Sequence, residues 1–307
     1  MGAQDQSLQP GTLPALLHER TEAAQASGAL TPIPTSHRIL EQQGIRFQVR
    51  VVESLARKDA AREAALPGGG QSKGGEKADP FLPHDEALFV ADVSGSHVAL
   101  LNKFNVLDDH LLIVTRSFVD QRELLGEADF EALWRCLDEV DGLGFYNGGE
   151  EAGASQPHKH LQVVPLPLTP GEERLPVEAV LPDEAGRVVT APALPFCHAL
   201  YRFTNDELIT SLERITARTL AVYHELIAAT DLPADPPGPG ARQRAPYNLL
   251  ATREWMLLVR RSQEFCEGIS VNAIGFAGGL LVRSAEQLAR VEEIGPMQVL
   301  AAVGVAL

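Results

Sequence analysis

The sequence is poor in cysteine, and this scarcity argues against two classes of protein. The 307 residues include three cysteines, Cys136, Cys197 and Cys266, and no Cys-x-x-Cys pair. A disulfide scaffold and a thiolate zinc site both need cysteines at close, repeated spacing. We interpret the three as ordinary buried thiols. Five scattered histidines also lack the paired spacing of metal ligands, so we predict no metal site and interpret them as polar surface or satisfied core residues: His84, His97, His110, His198 and His224.

The sequence also lacks long apolar runs. No run reaches the ~18–20 residues that a membrane-spanning helix needs. The segment Met1–Asp5 has an acidic residue where a secretory signal carries positive charge, and Gln6 stands where a myristoylation motif has serine or threonine. With 45% hydrophobic and 22% charged residues the composition is that of a soluble globular protein. We predict a cytoplasmic protein with no membrane partner.

Positive charge is scarce as well. Lysine and arginine number 26 against 41 acidic residues, which gives a formal net charge of −15. Such a balance disfavours a nucleic acid as partner. A single nucleotide is still compatible, because a polyphosphate needs only a few local cations and backbone N–H groups.

The pattern of the first half predicts an α+β fold with an antiparallel meander of about five strands and a covering helix. Ser94-Gly95-Ser96 between two apolar runs is typical of a hairpin. The predicted helices are 13–29 and 127–140, and the predicted strands are 46–53, 87–93, 97–102, 111–115, 145–146 and 161–164. A basic, alanine-rich segment within 54–65 could open a short helix.

Beyond Pro165 the composition changes to a proline-rich stretch with little periodicity, which we interpret as a crossing between two halves. We therefore divide the chain at residues 1–168 and 169–307. In the second half the pattern predicts helices at 206–230, 285–293 and 296–305 and strands at 247–251, 255–259 and 270–273.

The most informative stretch is Gly153–Pro165, a small-residue loop that turns into a strand. Side chains alternate along a strand, so His158, His160 and Gln162 share one face. Two imidazoles and an amide beside a glycine-rich loop indicate an anion site with a nucleophile next to it. The alternative is a polar strand edge with incidental histidines.

This stretch resembles the His-x-His-x-Gln signature of the transferase branch of the histidine-triad superfamily, and most of all the ATP adenylyltransferase (diadenosine tetraphosphate phosphorylase) family. The resemblance runs from about Gly44 to Arg283. Further matching segments are Asp79-Pro80-Phe81-Leu82-Pro83, Leu101-Asn102-Lys103-Phe104, Tyr247-Asn248-Leu249-Leu250, Glu254-Trp255-Met256 and Gly275-Phe276-Ala277-Gly278. It implies a histidine-triad-like antiparallel sheet with covering helices and a C-terminal extension that completes a nucleotide cleft.

The resemblance also implies a reaction. Diadenosine tetraphosphate and phosphate would give ATP and ADP through an adenylylated His160, with His158 orienting the site. Gln162 stands where hydrolases of the superfamily carry a third histidine; an amide can hydrogen-bond a phosphate oxygen but does not readily supply a proton. We therefore hypothesise that the covalent intermediate waits for a phosphate acceptor. Mg²⁺ is expected with the polyphosphate, and no organic cofactor is expected.

Other residues are candidate substrate contacts. Ser155, Gln156 and the backbone N–H groups of Gly153 and Ala154 could line the α-phosphate, with Asn147 as a further donor. By resemblance, substrate contacts are also expected at Lys58, Asn102, Lys103, Asn248, Thr252, Met256 and Arg261. Because Arg260 stands where relatives commonly have proline, the choice between Arg260 and Arg261 as the distal phosphate clamp stays open.

Three alternatives remain. Another transferase of the branch, such as a hexose-1-phosphate uridylyltransferase, is disfavoured by the matches around Asn102-Lys103 and Tyr247-Asn248. A hydrolase is disfavoured by Gln162. A nucleotide-binding sensor without activity is disfavoured by the presence of both His160 and Gln162.

Overall fold

The computed structural model describes residues 6–52 and 79–307. These residues form both helices and strands, and the strands come mostly in consecutive runs. The helices are α1 (Leu13–Ser27), α2 (Glu127–Leu137), α3 (Asn205–Leu208), α4 (Leu212–Ala229), α5 (Ala273–Phe276), α6 (Ala285–Ile294) and α7 (Pro296–Val303). No helix among the described residues combines the length and the apolar character that crossing a bilayer requires.

The strands form one large sheet and two small ones. They are β1 (Ser36–Gln42), β2 (Ile45–Val51), β3 (Phe89–Asp92), β4 (His97–Leu101), β5 (Leu111–Thr115), β6 (Gly142–Gly148), β7 (His160–Pro165), β8 (Val188–Val189), β9 (His198–Arg202), β10 (Tyr247–Ala251), β11 (Trp255–Arg260), β12 (Phe265–Cys266), β13 (Ile269–Ser270) and β14 (Gly279–Val282). The large sheet has nine strands in the order β3-β4-β5-β7-β6-β10-β11-β9-β8, and neighbouring strands run antiparallel.

The predicted α+β class and antiparallel sheet are confirmed, and the hairpin through Ser94–Ser96 joins β3 to β4 as expected. The five strands predicted for the meander all lie in the large sheet, and the predicted strand 46–53 corresponds to β2 of the three-stranded sheet. The five strands do not follow chain order, because β7 inserts between β5 and β6.

The large sheet is buried on both faces. One face packs against α1, α2 and α4, with Leu161 and Val163 of β7 pointing into that core. The opposite face packs in its C-terminal part against a three-stranded sheet of β1, β2 and β14 and against α7. A buried sheet of this kind holds its strands rigidly, which is what a catalytic strand requires.

The strand β6 pairs with β10 over five residues, from Gly148 opposite Tyr247 to Gly144 opposite Ala251. One continuous sheet therefore spans both predicted halves of the chain. The division near residue 168 stays a prediction.

Two predicted elements differ from the structure. The predicted helix 206–230 is two helices, because Thr204 caps α3 and Ser211 caps α4, and between them Ile209 is 84% exposed. The predicted strand 270–273 ends at Ser270, because the Asn272 side chain accepts a hydrogen bond from Ile274 N and starts α5. Sequence patterns also missed β1, β9 and β14. The segment 54–65 lies outside the described residues.

A buried ionic network fixes α2 to the back of β7. Lys159 Nζ lies 2.7 Å from Asp129 Oδ2, and it also donates to the carbonyl oxygen of Leu124 at 2.9 Å. His97 Nε2 lies 3.1 Å from Asp129 Oδ1. Burial alone would raise the pKa of Asp129, but the His97 hydrogen bond and the Lys159 charge outweigh burial and lower it. The network therefore links three elements directly behind the two histidines of the motif.

Candidate active site

The motif lies in the interior of the large sheet. His160 and Gln162 belong to β7, which is paired on both sides, and His158 bridges to Asp120 just before the strand. The three side chains are buried, and Lys159 points to the other face into the ionic network. The polar-edge alternative is therefore wrong.

His160 is held in one tautomer. Its Nδ1 lies 2.8 Å from the carbonyl oxygen of His158, to which it can only donate, and its backbone N–H donates to Gln121 Oε1 at 2.8 Å. The Nε2 atom therefore carries the lone pair. Burial lowers the pKa of His160 to about 4, partly offset by the hydrogen bond to His158. A neutral imidazole with one exposed lone pair is a ready nucleophile near pH 7.

His158 is positioned by contacts on both ring nitrogens. Nδ1 lies 2.7 Å from Asp79 Oδ2, and Nε2 lies 2.9 Å from the carbonyl oxygen of Thr115. The rings of Phe81 and Phe118 lie 5.6 and 5.4 Å from the His158 ring. His158 therefore orients His160 through its own carbonyl group, and Asp79 supports it. Sequence reasoning used Asp79 only as part of a matching segment.

Gln162 belongs to a chain of hydrogen bonds that sequence reasoning missed. His110 Nε2 lies 2.9 Å from Gln162 Oε1, and Asn102 Nδ2 lies 3.2 Å from His110 Nδ1. The amide of Asn102 thus donates to His110, and His110 Nε2–H donates to Gln162 Oε1. This arrangement leaves the NH₂ group of Gln162 as the end that can donate to a ligand. Burial lowers the pKa of His110 to about 4, so the ring is neutral at pH 7.

The glycine-rich loop closes tightly onto the C-terminal half. Gly153 has φ +89°, and a Cβ there would lie 2.8 Å from Asn272 Cβ and 3.1 Å from the carbonyl oxygen of Val271. Glycine is therefore required by both conformation and space. Beyond it, Ser155 is exposed and Gln156 is half-buried, so both side chains can reach a ligand.

Asn147 points its amide toward the same loop. Its Oδ1 accepts from Asn248 Nδ2 at 2.8 Å and from the backbone N–H of Ala273 at 3.0 Å. With the oxygen occupied by two donors, the Nδ2 group faces away from them and is available as a donor. This orientation agrees with the predicted role of Asn147 at the α-phosphate, which stays a prediction.

A cavity of about 130 Å³ lies beside Gly153. Its polar lining comes mainly from the C-terminal half, with Ser270, Asn272, Arg283 and Gln287. These residues were not predicted, although the neighbouring segment Gly275–Gly278 matched the family. The cavity is a candidate site for the distal phosphates.

The structure does not bring all the predicted C-terminal contacts to the site. Met256 is fully buried in the core against the helical layer, and Thr252 Oγ1 accepts backbone N–H groups in the turn between β10 and β11. Arg261 is 2% exposed and donates only to protein oxygens. Asn248 is buried between Arg261 and Asn147. All four side chains are thus buried among protein partners, and their contact with substrate stays a prediction.

Of the lysines, Lys103 is exposed at the end of β4, where it can reach a ligand beside Asn102. Lys58 lies outside the described residues.

The lowered pKa values of His110 and His160 predict that the folded protein loses stability in acid. Both fall from 6.5 to about 4, so between these values the unfolded chain binds protons that the folded chain does not. The free energy of unfolding should therefore decrease as pH drops through this window, by about 3 kcal/mol per histidine. Urea unfolding at several pH values measures it. Carboxylates also titrate in this pH window, so the wild type is compared with His110→Phe, which lacks one of the two histidines. If the free energy of unfolding changes with pH as steeply in His110→Phe as in the wild type, the prediction is contradicted.

Comparison with known protein families gives two matches that together span most of the chain. Residues 3–183 match the model of the Ap4A phosphorylase N-terminal domain. Residues 192–306 match the model of the ATP adenylyltransferase C-terminal domain.

Among curated proteins, the chain is similar to diadenosine 5',5'''-P1,P4-tetraphosphate phosphorylase 2 of Saccharomyces cerevisiae, with 27% identity over 90% of this chain and 89% of the relative. It is also similar to Protein APA1 of the same yeast, with 27% identity over 74% of this chain and 75% of that protein.

Solved structures agree with the fold. The crystal structure of yeast Ap4A phosphorylase Apa2 superposes with a TM-score of 0.76 at 23% identity, covering 97% of this chain and 99% of that one. The structure of Apa2 in complex with Ap4A gives a TM-score of 0.75 at 24% identity, with the same coverage of both chains.

Proposed function

The chain belongs to the Ap4A phosphorylase family, whose N-terminal model matches more than half of it, and on this premise we propose how its site works. The chain is a nucleotidyltransferase that converts diadenosine tetraphosphate and phosphate into ATP and ADP. The observation that carries the mechanism is the His160 side chain, whose Nδ1–H donates to the carbonyl oxygen of His158 and thereby leaves the lone pair on Nε2.

In the first step, His160 Nε2 attacks the α-phosphorus of one adenosine. The bond from that phosphorus to the bridging oxygen breaks, and ATP leaves. In the second step, a phosphate oxygen attacks the same phosphorus, the N–P bond breaks, and ADP leaves with His160 restored. Splitting the displacement in this way replaces one difficult reaction by two easier ones.

Around the reacting phosphorus, donors surround the phosphate oxygens. Gln162 Nε2 approaches from β7 because His110 holds its oxygen. Asn147 Nδ2 approaches from β6, and Ser155, Gln156 and the loop N–H groups approach from the other side. Preoriented donors of this kind act on charge that develops during the displacement.

We propose that a small apolar cluster, on the face of the sheet that carries the motif, binds the adenine ring. Leu112 pairs with Gln162 and Val114 with His160, so their side chains share the face of the motif. The cluster consists of Phe81, Phe89, Val98, Leu100, Leu112 and Val114. Asn102 and Lys103 at the end of β4 then lie near the ribose and a phosphate. The family-implied contact of Lys58 also stays part of this proposal.

We further propose that Mg²⁺ enters with the substrate, because the tetraphosphate supplies the oxygen ligands that this ion prefers. The described residues bring together no group of three histidine, cysteine or acidic side chains as a cation site.

The cytosol is the proposed compartment, supported by three cysteines that are all free thiols.

The assay incubates the protein with diadenosine tetraphosphate and Mg²⁺, with and without phosphate, and separates the products by chromatography. ATP and ADP that form only with phosphate are expected. ATP and AMP without phosphate would indicate a hydrolase and contradict the account of Gln162. Tight binding without turnover would favour a sensor.

Replacing His110 with phenylalanine tests the orientation of Gln162. The variant removes the N–H donor that holds Gln162 Oε1, so the amide can rotate and present its oxygen to the phosphate. We expect kcat/KM for phosphorolysis to fall about 10- to 100-fold, somewhat less than loss of a whole oxyanion donor. His224→Phe on α4, far along the chain from the site, is the matched control. Equal activity of the two variants would argue against the hydrogen-bond chain.

A further inference from the structure

Arg261 is a buried cation whose hydrogen-bond acceptors are all neutral oxygens. Nη1 donates to Asn248 Oδ1 at 2.5 Å, and Nη2 donates to the carbonyl oxygen of Val271 at 2.9 Å. Further acceptors are the carbonyl oxygens of Ala152, Gln263, Glu264 and Val303. Burial lowers the pKa of Arg261 to about 10, so the side chain keeps its charge at pH 7. A fixed planar fork of five N–H donors can serve so many acceptors at once, and a lysine cannot.

The contacts of Arg261 reach the site through Asn248. Arg261 occupies Asn248 Oδ1, which turns Asn248 Nδ2 toward Asn147 Oδ1 at 2.8 Å and the carbonyl oxygen of Ala152 at 2.9 Å. Asn147 then has its oxygen bound, which leaves its Nδ2 group as the donor end of the amide. Arg261 can only donate, so it fixes which end of the Asn248 amide accepts, and Asn248 in turn fixes the orientation of the Asn147 amide.

Arg261 also connects the two walls of the cavity. Ala152 precedes Gly153 on one wall, and Val271 precedes Asn272 on the other. The guanidinium bonds to both carbonyl groups, at 3.3 and 2.9 Å. The walls approach closely here, since a Cβ on Gly153 would lie 2.8 Å from Asn272 Cβ, so a change in this connection would change the width of the cavity.

We propose that Arg261 is a positioning residue for the polyphosphate substrate, which acts through Asn248 on Asn147 and holds the two walls of the cavity at a fixed separation. It does not touch the substrate. The proposal rests on the proposed function for the identity of the ligand. On this proposal Arg261 is not itself the distal phosphate clamp, because its buried guanidinium positions other residues of the site.

The test compares Arg261→Lys and Asn248→Asp with the control Arg187→Lys. The Asp variant keeps the acceptor for Arg261 and places an oxygen against Asn147 Oδ1, so the Asn147 amide loses its preferred direction. Arg187 lies outside the site, with its side chain 67% exposed and 3.0 Å from Glu184. AMP affinity by calorimetry and kcat/KM for diadenosine tetraphosphate should each fall about 10- to 100-fold in both test variants, as expected for supporting residues. Arg187→Lys should match the wild type.

A double-mutant cycle with Asn147→Ala separates positioning from general structural loss. If Arg261 acts through Asn147, the Arg261→Lys effect on AMP affinity should shrink several-fold in the Asn147→Ala background. Additive losses, or an unchanged AMP affinity in Asn248→Asp, would overturn the proposal. A wild-type chain that binds AMP without phosphorolysing diadenosine tetraphosphate would instead contradict the proposed function, and the AMP cycle would still decide the role of Arg261.

Discussion

Replacing His160 with alanine is expected to abolish phosphorolysis of diadenosine tetraphosphate, with kcat falling about 10⁴-fold or more, because the attacking atom itself is removed. The fold should be retained, since the ring occupies the site face of β7 and the backbone contacts of His160 to Gln121 do not involve the side chain. The measurement is product formation with saturating phosphate, and the urea midpoint reports the fold.

A covalent readout makes this prediction sharper. With substrate labelled in the α-phosphate and no phosphate acceptor, the wild type should retain label that acid releases, as expected for a phosphorus–nitrogen bond. His160→Ala should retain none, and the control His224→Ala should label like the wild type. Labelling of His160→Ala at another residue would contradict His160 as the nucleophile.

The shared face of the motif could be predicted because its residues are close in sequence. Strand alternation alone placed His158, His160 and Gln162 on one face, and the structure confirms that face and adds that β7 is paired on both sides. The same local reasoning located both strands of the β3–β4 hairpin. Patterns within about ten residues carry this information, since strand periodicity repeats over such distances.

The supporting residues could not be predicted in the same way, because their partners are far away in the chain. His110 reaches Gln162 only through the pairing of β5 with β7, and Asp79 reaches His158 across 79 residues. Arg261 looked like a phosphate clamp from its motif, but burial of its guanidinium depends on segments near residues 152, 271 and 303 that local patterns do not place together. Sequence indicates the type of group, and tertiary packing decides whether the group meets the ligand or another side chain.

Removing one partner of the ionic network behind β7 is the second large effect that we expect. Lys159→Met leaves the charge of Asp129 buried, with the hydrogen bonds from His97 and from the backbone N–H of Gly126 as its remaining partners. Breaking a buried ion pair on one side costs about 3–5 kcal/mol of the free energy of unfolding, because the remaining charge is uncompensated. Urea unfolding at pH 7.5 measures the loss.

The exposed pair of Arg187 and Glu184 provides the matched control. Its side chains are 67% and 53% exposed, so Arg187→Met should cost less than about 1 kcal/mol. The double variant Lys159→Met, Asp129→Leu tests the cause, because it removes both buried charges together. We expect it to lose less stability than the two single variants combined. If the losses add, the network contributes packing and not charge pairing, and its place directly behind His158 and His160 then stabilises the catalytic strand through shape alone.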